Sequence, residues 1–271
     1  MSRELSRRQF MWSSAIALPI VSNIARAASQ EEVKILMGAQ SYSFRKFGFE
    51  DSIECLKKLG LNTMEFCGVH FPCDATHEKF PYVKQTIAES GINVPCYGVE
   101  GFGADAAANR RKFEFAKALG VSVLTADPTP EAFDNLEELC NEFQVKIAIH
   151  NHGPGARYDK VADTLKAVEG RSPLIGACVD TGHAIRSGEK PHEIIRALGS
   201  RVISLHLKDW IHGGKEQILG EGDLDLAAVA RALKEIHFNG PIVMEYEESP
   251  EDPVPDMKKG WANWMAAWNA A

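Results

Sequence analysis

The stretch "VKIAIHNHGPG" (145–155) ends an apolar run in two imidazoles, His150 and His152, with Asn151 between them, and then breaks at Gly153-Pro154-Gly155. Side chains alternate between the faces of a strand, so His150 and His152 share one face. Such a pair either holds something or is a polar exit into a loop. Related endings recur downstream. "IGACVD" stops at Asp180 and continues Thr181-Gly182-His183, "VISLHL" carries His206 and leads into Lys208-Asp209, and "PIVMEYE" runs into Glu245 and Glu247. Taken singly, Asp180 is an ordinary turn residue, His206 a satisfied core histidine and Lys208-Asp209 a surface ion pair. Glu245 follows its apolar run so closely that an ionised carboxylate there needs a partner or a metal. Four successive apolar runs that each end in a metal-competent group point to one metal centre with acid/base groups around it.

The elements that must position these groups follow from periodicity. From residue 33 onward, short apolar runs alternate with amphipathic segments, at 33–41, 62–67, 93–99, 121–126, 145–150, 175–180, 202–207 and 241–246. "TPEAFDNLEELCNEF" offers Thr129 as a helix cap with Pro130 in the first turn, and 224–237 places Leu226, Val229, Ala230, Leu233 and Ile236 on one face. Gly60, Gly91, Gly120, Gly170 and Gly240 are expected to end helices. Nearly continuous apolar strands alternating with helices predict an α/β protein, a single parallel (β/α)8 TIM barrel over 33–271. A doubly wound sheet is the alternative, but no G-x-G-x-x-G follows the first strand. Active sites of such barrels collect at the C-terminal ends of the strands, which gather all the groups above and add Gln40, Glu65 and Glu100. Glu65 and Trp210 are further candidates for substrate contact. Trp261, Trp264, Met265 and Trp268, at helical spacing, are expected to close the barrel, with a homo-oligomer contact as a further use.

The first residues read differently. Residues 1–27 combine a basic start holding Arg7-Arg8, a charge-free run from Met11 to Ile24 and the small-residue pattern Ala25-Arg26-Ala27. This is the pattern of a Tat-type export signal, too short and too weakly apolar for a stable membrane anchor. Export would place the protein in the periplasm or outside the cell. Removing Arg3, Arg7, Arg8 and Arg26 against Glu4 takes the formal charge from −7 to −10. A body that acidic is a poor match for nucleic acid. The six cysteines lack zinc-ribbon spacing and read as buried thiols, with Cys67 and Cys73 left open as a pair.

"VDTGHAIRSG", "RVISLHLKDW", "LGEGDLD" and "GPIVMEYE" together resemble the xylose isomerase-like TIM-barrel family of sugar phosphate isomerases and epimerases, over about residues 33–250. The resemblance implies a divalent ion held at the ends of strands five to eight, with Asp180, His206 and Glu245 as ligands and His183 as a substrate-binding histidine. On strand five the family's epimerases supply a glutamate that both binds metal and acts as one of two acid/base carboxylates. Here "HNH" stands where relatives show "ENH", so His150 fills the ligand position and His152 faces the same cavity. Two histidines, an aspartate and a glutamate suit Mn, Zn, Co or Fe better than Mg or Ca.

Isomerisation or epimerisation of a sugar or keto-sugar through an enediolate is therefore the leading expectation. A metal-bound histidine cannot act as the base, which leaves Glu245, Glu247, Lys208, His152 and His183 for proton transfer, with Lys208 as an electrophile or a base of lowered pKa. The same enediolate can expel a group at the next carbon, so a lyase or dehydratase acting on keto-sugars or keto-glycosides is the alternative. A nuclease with several metals, drawing on His70 and Glu100, fits the charge poorly. A binding protein that holds a metal-sugar complex without turnover is the third reading.

Overall fold

The computed structural model describes residues 36–271, and the proposed signal lies outside them. Seven strands run in chain order: β1 (Met37–Gln40), β2 (Thr63–Phe66), β3 (Asn93–Phe102), β4 (Val123–Pro128), β5 (Lys146–His150), β6 (Ile175–Asp180) and β7 (Val202–Leu207). A short antiparallel hairpin of β8 (Asp209–Trp210) and β9 (Glu216–Gln217) precedes the last barrel strand, β10 (Ile242–Met244). The barrel closes in the order β1-β10-β7-β6-β5-β4-β3-β2 with every pair parallel. This is the TIM barrel expected from the alternation of runs, and the open doubly wound sheet is excluded by closure between β1 and β10.

The helices are α1 (Phe49–Lys58), α2 (Phe80–Ser90), α3 (Ala106–Leu119), α4 (Phe133–Phe143), α5 (Val161–Val168), α6 (Thr181–Arg186), α7 (Pro191–Leu198), α8 (Leu226–Glu235) and α9 (Val254–Ala270). Outward-facing strand residues such as Ile147, Ile149, Val179 and Leu205 are buried with Leu136, Ile195, Val229 and Leu233 of the helical ring in one core. A smaller cluster, Cys96, Val123, Ala148, Cys178 and Ile203, is the second apolar group. Trp264 is fully buried and Trp261 nearly so, which makes α9 the closing helix. Asp105 and Asp225 cap α3 and α8 by accepting backbone N–H bonds.

Two expectations are corrected. Thr129 makes no side-chain cap and precedes a single 3-10 turn, Pro130–Ala132, before α4 begins. Gly240 does not terminate α8, since His237 takes the left-handed conformation there; a side chain at 240 would collide with the Ile203 carbonyl. All six cysteines are free thiols, Cys67 and Cys73 included. Among the described residues no helix is long and apolar enough to cross a membrane.

Candidate functional site

Parallel pairing aligns the ends of β5, β6, β7 and β10, with Asp180 beside His206 and His206 beside Val243. His150 and Asp180 are the last residues of their strands, and Glu245 follows β10 directly, its N–H donating to Leu207. One side-chain donor atom from each of His150, Asp180, His206 and Glu245 lies within 4.8 Å of the other three. His150 Nε2 is 3.1 Å from His206 Nδ1 and 3.6 Å from Asp180 Oδ2, and His206 Nδ1 is 3.4 Å from Glu245 Oε2. Bonds of about 2.0–2.1 Å to one ion put neighbouring donors roughly 3.0–3.4 Å apart, so these four side chains fit a common cation. Asp180 Oδ2 is buried with no hydrogen-bond partner, an orphaned oxygen facing the cluster.

The surroundings fix these groups. Asp180 Oδ1 accepts the His183 N–H at 2.7 Å and so caps α6, which leaves Oδ2 for the cluster. The Asn151 side chain bonds both backbone groups of Asp180, accepting at 2.8 Å and donating at 2.9 Å. The "HNH" triplet thus divides its labour: His150 enters the cluster, Asn151 ties strand five to strand six, and His152 faces the cavity. Glu65 does not reach that cavity as a substrate contact would. It is fully buried, and its Oε2 accepts from His206 Nε2 at 3.1 Å, which turns Nδ1 of the ring toward the cluster. Metal-binding histidines are held in this way by carboxylates.

Lys208 and Asp209 do not form a surface ion pair, for both are buried. Lys208 Nζ lies 3.2 Å from Glu245 Oε2 and also bonds Glu247, and Thr181 Oγ1 donates to the Lys208 carbonyl at 2.6 Å. A Cβ at residue 182 would stand 2.5 Å from the Lys208 stem, so Gly182 makes room for it. Asp209 accepts N–H bonds from Trp210, Gly220, Gly222 and Leu224 and shapes the following loop. Burial disfavours the Lys208 charge, but Glu245, Asp180, Glu216 and Glu247 more than offset it and hold the ammonium above its ordinary range. Lys208 is therefore a fixed cation, not a base of lowered pKa. In return, burial opposes the Glu245 charge while Lys208 and His206 keep this carboxyl well below its usual range.

A cavity of 470 Å³ opens over the cluster. One arc of its wall is His150, His152, His183, Glu245 and Glu247, and the other is Gln40, Tyr42, Cys67, Gly68, Val69, Gly98 and Val99. Burial lowers the pKa of His152, with His150 adding to the effect, and takes His183 down to about 4, so both imidazoles are neutral. Trp210 is not in the wall; it packs on Arg186. Glu100 pairs with Lys112 at 2.6 Å and His70 bonds Ser41 at 3.1 Å, so neither adds a donor to the cluster. Glu216 is buried behind Lys208, its Oε1 accepting the Glu247 N–H, and burial pushes it up to about 8. Gln40, expected at the end of the first strand, does line the cavity. No spacing in the sequence marks Glu216, which is brought in by the hairpin.

Residues 53–268 match the xylose isomerase-like TIM barrel family, and the chain belongs to that family. It is 26% identical over 141 residues to an inosose dehydratase of Clostridium botulinum, covering 45% of this chain and 47% of that protein. The chain thus spans about half the length of the curated relatives it matches. Among solved structures, a protein of Parabacteroides distasonis is 27% identical with a TM-score of 0.67, over 87% of this chain and 98% of the other. A D-tagatose 3-epimerase-like protein shares the fold at 19% identity and a TM-score of 0.69, over 87% and 99% of the two chains. The family thus holds epimerase-like and dehydratase relatives, and this chain carries a possible metal site of its own.

Proposed function

We propose that the protein is a divalent-metal-dependent enzyme that removes a proton next to the carbonyl of a neutral keto-sugar and expels the substituent on the following carbon. His150, Asp180, His206 and Glu245 hold the ion, a transition metal such as Mn, Zn, Co or Fe. When bound, it supplies the positive charge that stabilises an enediolate. His152 is the base: it is neutral, lines the cavity and has no side-chain hydrogen bond among the described residues. Lys208 locks Glu245 and Glu247, and His183 contacts a substrate oxygen.

The observation that carries elimination over epimerisation is the state of Glu245. Epimerisation needs an acid to return a proton on the opposite face. Glu245 stands three strands from His152 around the barrel and is held as an anion against Lys208. Elimination asks for one base only, which then carries its proton to the leaving group. Similarity to inosose dehydratases supports the same reading. Neutral substrates are favoured because the cavity wall holds two carboxylates and no lysine or arginine. Isomerisation with a single base, the reading favoured by the epimerase-like neighbours, is the second possibility.

The test is incubation of the metal-loaded enzyme with neutral keto-sugars and keto-glycosides in D2O, followed by mass spectrometry. Elimination yields a product lighter by water or by the aglycone, and His152→Ala abolishes it. A product of unchanged skeleton mass with deuterium at one carbon would establish isomerisation instead. Metal and sugar retained with no exchange would leave only a binding protein.

A further inference from the structure

Arg186 is the last residue of α6, one turn beyond His183, and its Nη1 lies 2.8 Å from His183 Nδ1. A guanidinium has five donors and no acceptor, and it does not lose its proton in proteins. The imidazole nitrogen facing it must therefore accept, and the single ring proton of His183 sits on Nε2.

The guanidinium that imposes this is itself held on two sides. Its Cζ is 4.8 Å from the centroid of the Trp210 indole. On the other side it meets Gly153, where a Cβ would stand 2.8 Å from Cζ, so only glycine leaves that space. The hairpin carrying Trp210 is pinned to α6 by His212 Nδ1 at 2.8 Å from the Ile185 carbonyl, and the indole Nε1 donates to Gly214 at 3.1 Å. Among the described residues Arg186 has no carboxylate within ion-pair distance, so its charge is directed at the imidazole and the ring face.

We propose that Arg186, clamped between Trp210 and Gly153, is a positioning residue that fixes His183 as the neutral Nε2–H tautomer, so that His183 offers the cavity a hydrogen-bond donor. The atom it meets is then an acceptor. Resting on the proposed function, that acceptor is a carbonyl oxygen of the keto-sugar.

The experiment uses full-length protein loaded with zinc, which is diamagnetic, and labelled with 15N-histidine. Long-range 1H–15N correlation spectra, with His183→Gln identifying the resonances, are expected to show one protonated nitrogen on His183, Nε2. Arg186→Met is expected to mix the tautomers or move the proton to Nδ1, with zinc content unchanged. Arg186→Lys, which keeps a donor, restores the Nε2–H form in part. A merely structural arginine would leave the tautomer as it is in all three proteins, and that result overturns the proposal. So does a wild-type His183 protonated on Nδ1. Should Arg186→Met not fold, the wild-type and Arg186→Lys spectra still decide. Calorimetric titration with a neutral ketose then reads the linked claim, with roughly tenfold weaker binding expected in Arg186→Met. A wild type that shows the Nε2–H form yet binds no ketose sinks the proposed function and leaves the role of Arg186 standing.

Discussion

Glu65 acts on the candidate metal through another side chain. Its carboxylate meets His206 Nε2 and so decides which nitrogen of that ring faces His150 and Glu245. Glu65→Gln keeps the shape of the side chain but weakens the hold on the ring, and metal affinity should fall about 10- to 100-fold, the usual loss when such a partner is replaced. Competition against a chelator measures this, and an unchanged affinity would mean that His206 is oriented by packing alone. His150, Asp180 and Glu245 are legible in the sequence because each sits at or just past the end of an apolar run. Glu65 is legible as a strand-end carboxylate too, but its role is not, since only the closed barrel shows that it lies beneath His206.

At the scale of elements, the eight strand candidates all exist in the barrel; β6 and β7 keep the bounds of the runs that announce them, while β3 runs on past 99 to Phe102. The run at 241–246 narrows to Ile242–Met244, because pairing with both β1 and β7 holds only over those residues. The β8–β9 hairpin is not visible in the periodicity, since each strand has two residues and its turn is a glycine pair. Glu216 therefore escapes a reading by strand ends, and Trp210, expected as a substrate contact, is turned by the hairpin onto Arg186 instead. Glu216 has a measurable consequence. The folded carboxyl keeps its proton up to about pH 8, whereas the ordinary value is 4.5. Between those two values the folded state binds the extra proton, so its contribution favours folding at the acid end and is lost as the pH rises through the window. Thermal melts of wild type and Glu216→Gln across this range should differ by that slope, with the variant gaining relative stability toward the alkaline end. Parallel curves would show that Glu216 is ionised throughout.

At the scale of the whole molecule, Arg7 and Arg8 belong to the proposed address of the protein and not to its barrel. Replacing both with lysine in the full chain should leave the protein in the cytoplasm with residues 1–27 still attached, which cell fractionation and N-terminal mass analysis measure; normal export of that variant would refute a Tat route. Within the barrel, the two arcs of the cavity wall come from different halves of the chain. Residues 150–247 supply the imidazoles and carboxylates, while 40–99 supply the uncharged side with Val69 and Val99 exposed at its rim. Apart from Glu65, whose contact reaches across, the first half lines the uncharged side of the cavity, and in the proposed reaction the second half carries the metal ligands, the base and His183. On the proposed function, selection can thus act on the two separately: changes along the first half retailor which sugar is accepted, and a lineage can acquire new substrates while inheriting its chemistry, provided that Glu65 stays beneath His206.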